Sequence, residues 1–314
     1  MSLVCAIQMD PLEDVNIDTD STFMLALEAQ IRGHTLFHYL PKDLSLNDSR
    51  PYAKGREMEV IRQKGNHFKV GPEQRIDLSK VDVILMRQDP PFDMSYITAT
   101  HFLEHIHPKT LVVNNPVEVR NAPEKLFVTL FRDLMPPTLI TRDIDEIIAF
   151  RAEHSDIILK PIYGCGGAGV FHIKPDDDNL QALFEMFTET KTEPIIIQRY
   201  LPEIRNGDKR IILVDGQPMG AVSRVPPAGD ARANFHAGGS GRKTRLTKKE
   251  IDICEELGPV LKQKGLIFVG IDVIGDHLTE INVTSPTGIQ EINRLDGVNL
   301  QSQIWDAIES QLSK

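Results

Sequence analysis

The chain has 314 residues, of which 41% are hydrophobic and 25% are charged, as is usual for a globular protein with a large core. Its formal net charge of −10 argues against nucleic acid or an anionic membrane as a partner of the whole surface. No apolar segment is long enough to span a bilayer, and we expect no signal peptide because the first residues lack a basic region. The three scattered cysteines (Cys5, Cys165 and Cys254) predict neither a disulfide framework nor a metal site, and they favour a cytoplasmic protein.

The first 122 residues alternate apolar strands with a helical segment. Strands are predicted at residues 3–9, 36–40, 81–86 and 110–113, and a helix at residues 21–32. The polar, glycine-interrupted residues between 51 and 78 favour short hairpins. This order is typical of βαβ units, so we expect a small α/β domain with a mostly parallel sheet over residues 1–122.

The rest of the chain has an α+β pattern, which we divide into residues 123–200 and 201–314. A helix is expected just after Lys125. In the first of these parts, strands are predicted at residues 138–141, 156–161, 170–174 and 194–200, and helices at 143–154 and 179–187. In the second, strands are predicted at 210–214 and 218–225, a helix that begins with the capping box T-K-K-E at 247–264, and a last helix near 300–312.

A predicted β-hairpin near the C-terminus carries three oxygen-bearing side chains. Two alternating apolar segments flank Gly275-Asp276, with Asp272 on the first and Glu280 and Asn282 on the second. Residues two apart in a strand face the same side, and a hairpin can place Asp272 opposite them. Oxygen ligands without His or Cys suit Mg²⁺ and leave positions for phosphate oxygens. The alternative is the solvated polar face of an edge hairpin.

A glycine-rich stretch follows Lys160. Residues 164–169, the glycine flap, match G-x-G-x-x-G, but the segment after them is strand-like, so a dinucleotide-binding fingerprint is excluded by its context. The chain also lacks the H-R-D and D-F-G motifs of protein kinases and a Walker A motif. A flap whose backbone N–H groups approach phosphate oxygens is favoured over an ordinary loose turn.

The charge is uneven along the chain. Residues 205–245 contain eight Lys or Arg against three Asp, a local excess of five positive charges that indicates either a site for small anions or a solvated basic loop. Within this region, residues 226–241 are rich in small residues. They predict a lid that closes over substrate, and the alternative is a surface loop.

The order of these features along the chain resembles that of the ATP-grasp ligases. The sequences of the individual segments are similar to those of the prokaryotic glutathione synthetase family. The resemblance covers nearly the full length and includes segments such as H-S-D-I-I-L-K-P ending at Pro161, G-D-K-R ending at Arg210 and L-T-E-I-N-V-T-S-P-T ending at Thr287. The chain departs from the family in the flap, where Tyr163 and Cys165 replace Asp and Met and His172 stands where Arg is common.

The resemblance implies an ATP-grasp fold preceded by a small parallel-sheet βαβ domain. It divides the chain into an N-terminal substrate-side domain (1–122), a lid subdomain with the glycine flap (123–200) and a C-terminal subdomain with the metal site (201–314). It implies ATP-dependent ligation of γ-glutamylcysteine and glycine through an acyl phosphate, with two Mg²⁺ or Mn²⁺ ions. It also implies a homo-oligomer, either a dimer or a tetramer.

The resemblance also implies a role for each matched residue. The ATP-binding residues would be Lys125, Lys160, Gly164, Gly166, Gly167, Gln198, Tyr200, Leu201 and Asp208. The metal ligands would be Asp272, Glu280 and Asn282. Arg210 and Arg224 would be catalytic, holding carboxylates and the acyl phosphate. The substrate-binding residues would be Arg87, Arg210, Arg224, Asn282, Ser285 and Thr287.

Two other functions stay open at this point. A related ATP-grasp amide ligase could join a different acid and amino acid. A regulatory protein could keep nucleotide binding without turnover, although a pure binder has no need of a complete metal set.

Overall fold

The computed structural model of the protein describes residues 2–164, 166–227, 233–234 and 238–313. Within these residues the strands form three sheets, which follow one another along the chain. None of the helices in the described ranges combines the length and the apolar character that a membrane span requires.

The first sheet is formed by the N-terminal part of the chain. Its strands are β1 (Val4–Gln8), β2 (Thr35–Tyr39), β3 (Leu44–Asn47), β4 (Arg50–Val60), β5 (Phe68–Val70), β6 (Gln74–Asp77), β7 (Val83–Met86) and β8 (Leu111–Val113). The strands β2, β1, β7 and β8 are parallel neighbours in that order. β4 pairs antiparallel with β2, and β3, β5 and β6 pair antiparallel with β4. The predicted parallel sheet and the predicted hairpins are both confirmed.

Helices cover both faces of this sheet. They are α1 (Ser21–Ile31), α2 (Met94–Glu104) and α3 (Pro116–Asn121). Asp20 caps α1 by accepting a hydrogen bond from the backbone N–H of Phe23. α1 shares a hydrophobic cluster with the C-terminal helix, whereas α2 and α3 belong to a second cluster on the opposite face. The sequence analysis predicted α1 but not α2 or α3.

The second sheet is antiparallel and lies in the middle of the chain. Its strands are β9 (Thr138–Thr141), β10 (Ile157–Pro161), β11 (Phe171–Ile173) and β12 (Ile195–Arg199), in the spatial order β11-β10-β12-β9. The helices α4 (Ile144–His154) and α5 (Leu180–Thr190) contribute to its core. The segment after Lys125 differs from the expected regular helix. It is a 3-10 helix, Phe127–Leu134, whose backbone is non-helical at Phe131, where the ring packs edge-on against Phe127.

The third sheet is also antiparallel and carries the predicted metal hairpin. Its strands are β13 (Asp208–Val214), β14 (Gln217–Val225), β15 (Ser240–Lys243), β16 (Phe268–Ile274) and β17 (His277–Asn282), in the spatial order β15-β14-β13-β16-β17. Its helices are α6 (Lys248–Gln263), α7 (Ile289–Asp296) and α8 (Leu300–Leu312). The capping box at the start of α6 is confirmed. α6 covers one face, and α7 and α8 cover the apolar end of the other.

One asparagine joins the first sheet to the third. The buried Asn114 follows β8, and its Nδ2 donates hydrogen bonds to the carbonyls of Phe268 and Val283 at 2.8 and 2.7 Å. Its Oδ1 accepts a hydrogen bond from the N–H of Phe268 at 2.9 Å. Because these groups lie at the ends of β16 and β17, the contact fixes the hairpin against the N-terminal domain.

Candidate active site

Strand register places the predicted acidic and basic residues of the third sheet on one face. Asp272 lies opposite Glu280 on one side and opposite Arg210 on the other. Asp208 lies opposite Arg224. Directly opposed residues of an antiparallel pair point to the same face, as do residues two apart in one strand. The predicted hairpin geometry is therefore confirmed, and it extends across three further side chains of β13 and β14.

The charged side chains of this face form a buried network. Arg210 Nη2 donates to Asp272 Oδ2 at 2.8 Å, and Arg224 Nη2 lies 3.0 Å from Asp272 Oδ1. Arg224 also forms a two-pronged pair with Asp208, with an Nε–Oδ1 distance of 2.7 Å. All four side chains are less than a tenth exposed. Planar guanidinium groups paired with carboxylates in this way give rigid, directional contacts.

The ion pairs set the charge states of this network. Burial alone would raise the pKa of Asp272, but Arg210 and Arg224 outweigh it and hold that pKa well below its usual range. Burial opposes the charge of Arg224, yet Asp272 and Asp208 raise its pKa above the ordinary value. Both groups are therefore ionised at neutral pH, and the arginines stay fixed before any ligand enters.

Two buried lysines and a glutamate face this network from outside the third sheet. Lys160 lies at the end of β10, and Lys125 precedes the 3-10 helix; each is 6% exposed. Burial lowers the pKa of Lys160, and nearby Lys125 lowers it further, while Glu280 opposes the change. Lys125 Nζ pairs with the Glu124 carboxylate and lies 4.0 Å from Glu280.

Glu124 is a site residue that the sequence analysis did not assign. Its backbone carbonyl accepts a hydrogen bond from the N–H of Ile281 at 3.0 Å, which places it beside Glu280 on β17. Burial and then the negative charge of Glu280 raise the pKa of Glu124 to about 7, although Lys125 opposes the rise. The one feature of the sequence that could have indicated a role for Glu124 is its position directly before Lys125.

The glycine flap has a backbone that only glycine adopts easily. Gly164, Gly166 and Gly167 have φ values of 146°, 64° and 79°. The carbonyl of Gly164 accepts a hydrogen bond from Lys125 Nζ. The flap lies between β10 and β11, which are antiparallel neighbours, so the expected hairpin is confirmed, with Cys165 outside the described residues.

The ends of β11 and β12 form an aromatic wall. The rings of Tyr200 and His172 stack at 3.9 Å with an angle of 15° between them. His172 Nε2 lies 2.9 Å from Asp156 Oδ1, and the buried Gln198 donates to Thr138 Oγ1 at 2.9 Å. This wall offers flat stacking surface and few charges, which suits a planar heterocycle better than a phosphate.

The loop after β17 forms the opposite end of the site. Thr287 O accepts a hydrogen bond from Arg210 Nη1 at 3.2 Å. Ser285 Oγ donates to the carbonyl of Arg87 at 3.2 Å. Arg87 itself is buried behind this loop, where its guanidinium donates to Thr22 Oγ1 and to the carbonyl of Pro286.

The residues above enclose one cavity of about 340 Å³ between the second and third sheets. Every site residue predicted from the sequence lines it except Arg87. Ala233 and Asn234, from the predicted lid, line it too, but residues 228–232 and 235–237 lie outside the described part of the chain. The last residues of the predicted lid, Ser240 and Gly241, belong to β15. The volume falls in the range of small-molecule sites.

The hairpin supplies oxygen ligands that fit a divalent cation. Asn282 Nδ2 lies 3.3 Å from Asp272 Oδ2, which leaves the amide oxygen of Asn282 as the acceptor for a cation, beside the Glu280 carboxylate. Among the described residues, no three His, Cys, Asp or Glu side chains are close enough to hold a metal by themselves. The carboxylate and amide oxygens of the hairpin fit a hard cation such as Mg²⁺, which takes part of its coordination from phosphate oxygens and water.

Comparisons with known proteins agree over the whole chain. The family model for the N-terminal domain of prokaryotic glutathione synthetase matches residues 3–120, and the model for its ATP-grasp domain matches residues 124–297. Curated glutathione synthetases share 59% identity in Brucella melitensis (99% of this chain and 100% of that one) and 57% in Mesorhizobium japonicum (99% of each chain). One from Escherichia coli O127:H6 is 46% identical over 98% of each chain.

Two solved structures of distantly similar proteins share the fold. The D-cycloserine synthetase DcsG has a TM-score of 0.69 at 15% identity, over 98% of this chain and 99% of that one. The ATP-grasp ligase PsnB has a TM-score of 0.63 at 16% identity, over 99% and 98%. With both family models matched in order, the chain belongs to the prokaryotic glutathione synthetase family and is an ATP-grasp ligase with glutathione synthetase function.

Proposed function

We propose that the cavity joins the cysteinyl carboxylate of γ-glutamylcysteine to the amine of glycine and converts ATP to ADP and phosphate. The observation that carries the proposal is the opposed row of Arg210, Asp272 and Glu280 facing two buried lysines across one cavity. Phosphoryl transfer needs positioning and charge neutralisation more than covalent participation. A row of fixed charges of both signs supplies these two requirements.

The nucleotide lies between the second and third sheets in this proposal. Its base stacks near Tyr200 and Leu201 and beside Gln198, with Asp208 at the ribose. Its phosphates lie beneath Gly164, Gly166 and Gly167, and Lys125 and Lys160 neutralise their charge. The support is that all these groups line the same cavity.

Glu280 and Asn282, with Asp272 behind them, hold the divalent cations that bind the nucleotide. We propose two Mg²⁺ or Mn²⁺ ions, which when bound neutralise the β- and γ-phosphates. The distant ATP-grasp ligase PsnB has been solved as a complex with Mg and ADP. The protein's own contribution is to keep the carboxylates ionised and oriented, and the pairing of Asp272 with two arginines supports this role.

The reaction has two steps. A carboxylate oxygen of the cysteinyl residue forms a bond to the γ-phosphorus, and the bond from that phosphorus to the bridging oxygen breaks to release ADP. The glycine nitrogen then forms a bond to the acyl carbon, phosphate leaves, and the nitrogen loses a proton. Arg210 and Arg224 stabilise the negative charge that develops on the acyl phosphate.

The peptide substrate is placed by the loop after β17. Ser285 and Thr287 line the cavity beside Arg210, which supports their contact with peptide carboxylates. Because Arg87 is buried behind this loop and does not line the cavity, it holds Pro286 and Ser285 in place and does not make the peptide contact predicted from the sequence. We also propose the domain division 1–122, 123–200 and 201–314, a cytoplasmic location and a homo-oligomer of two or four chains, on the strength of the family.

ADP release measured with and without glycine tests the proposed function. With γ-glutamylcysteine and magnesium ATP present, we expect ADP release to require glycine and glutathione to accumulate. Parallel reactions replace glycine with other amino acids. ADP release that depends on a different amino acid would instead indicate a related amide ligase, and nucleotide binding without turnover would indicate a regulatory protein.

A further inference from the structure

We propose that Tyr163 is a positioning residue that bridges the glycine flap to the N-terminal domain across the mouth of the cavity and excludes water from the acyl phosphate. The inference rests on the proposed function, because it concerns the fate of that intermediate. Tyr163 stands directly before the flap.

An aromatic ladder connects Tyr163 to the core of the first domain. The Tyr163 ring stacks on Phe92 at a centroid distance of 6.4 Å and an angle of 29°. Phe92 in turn packs against Tyr96 of α2 at 5.3 Å. Tyr96 is only 4% exposed, so the inner end of the ladder is anchored, whereas Tyr163 is 38% exposed at the outer end. Aromatic pairs at these separations attract one another beyond simple area burial.

The ladder crosses the site at its rim. On one side, Asp89 and Pro90 line the cavity just before Phe92 in the chain. On the other side, Gly164 lines the cavity directly after Tyr163. The Tyr163–Phe92 contact therefore joins the two walls of the opening. Lys125 makes a second contact with this segment, because it donates a hydrogen bond to the carbonyl of Gly164 inside the cavity.

The position of this bridge gives it a chemical consequence. If water reaches the acyl phosphate, its oxygen bonds to the acyl carbon and the bond from that carbon to the phosphate oxygen breaks. Phosphate leaves, the protons of the water pass to phosphate and solvent, and γ-glutamylcysteine is regenerated. The net result of that path is hydrolysis of ATP to ADP and phosphate with no glutathione formed. A bridge at the rim opposes this path by limiting the access of water and holding the flap over the phosphates.

The ratio of ADP to glutathione formed in one reaction tests the inference. In the unmodified enzyme we expect the two products to be equimolar. In Tyr163→Ala we expect excess ADP, and a KM for ATP raised about two- to tenfold, as the loss of one aromatic pair implies. Phe92→Ala should also give excess ADP, and the double variant should be no worse than Phe92→Ala alone, since both single variants remove the same Tyr163–Phe92 contact.

Matched variants separate this role from a general structural one. Tyr163→Phe keeps the aromatic ring, so ADP and glutathione should remain equimolar in that variant. Met186→Ala, on the exposed surface of α5, should do the same. Equimolar products with an unchanged KM in Tyr163→Ala, or additive effects in the double variant, would overturn the inference. An unmodified enzyme that forms no glutathione would refute the proposed function instead.

Discussion

At the scale of single residues, the site is a set of opposite charges that neutralise one another in the absence of ligand. Arg210, Arg224, Lys125 and Lys160 face Asp208, Asp272, Glu280 and Glu124. Because each positive group has a negative neighbour, a cluster of this kind has a small net charge and attracts a bare polyanion only weakly. It is better suited to a nucleotide whose phosphates arrive with divalent cations, because the complex as a whole is then close to neutral.

The substitution Glu280→Gln tests one carboxylate of this set. The amide keeps the size of the side chain but removes its charge, so we expect kcat to fall about 10²- to 10³-fold, as for the loss of a preorganised electrostatic contact. Thermal unfolding should change little, because the side chain is partly exposed. The control is Glu185→Gln on the exposed surface of α5, which should retain full activity. An unchanged kcat in Glu280→Gln would show that this carboxylate is not needed to hold the cations.

Residue spacing predicted part of the charged set and missed the rest. Asp272, Glu280 and Asn282 could be placed together because they lie within one short hairpin, where register follows from local alternation. The pairing of Arg210 with Asp272 joins residues 62 positions apart, and no local pattern reports such a contact. Glu124 was missed for the same reason, since its neighbour Glu280 lies far along the chain, in the third sheet.

At the scale of elements, the helices and strands that the sequence predicted are those with a regular apolar pattern or a clear capping residue. The helices that it missed lack such a pattern. The predicted strands of all three sheets and the helices α1, α4, α5, α6 and α8 are present, with ends that differ by a few residues at most. α2 was missed because its buried residues, Tyr96, Ala99, Thr100 and Leu103, include only one strongly apolar aliphatic side chain. α7 was missed because most of its eight residues are polar.

The capping box of α6 allows a prediction at this scale. Thr247 Oγ1 accepts a hydrogen bond from the Glu250 N–H at 3.2 Å, and Glu250 Oε2 accepts one from the Thr247 N–H at 2.7 Å. Thr247→Ala removes the first bond and should lower the free energy of unfolding by about 1 kcal/mol. Urea denaturation without nucleotide measures the change. Thr244→Ala, just outside the helix, should stay within about 0.5 kcal/mol of the unmodified protein, and an equal loss in both variants would contradict the capping argument.

At the scale of the whole molecule, the N-terminal domain supports a site that it does not itself line extensively. Asn114 fixes the ends of β16 and β17, and Arg87 holds the loop that contains Pro286. The order of domains could be expected from the change of strand pattern near residue 120. The polar contacts that hold the site in place could not, because each depends on a single buried side chain whose partner lies more than 150 positions away.

A crystal structure with magnesium and a non-hydrolysable ATP analogue tests the central claim most directly. We predict a cation about 2.0–2.1 Å from the Glu280 carboxylate and the Asn282 amide oxygen, with the phosphates beneath the glycine flap. A nucleotide bound elsewhere, or a cation held only by phosphate and water while these two oxygens point away, would contradict the account.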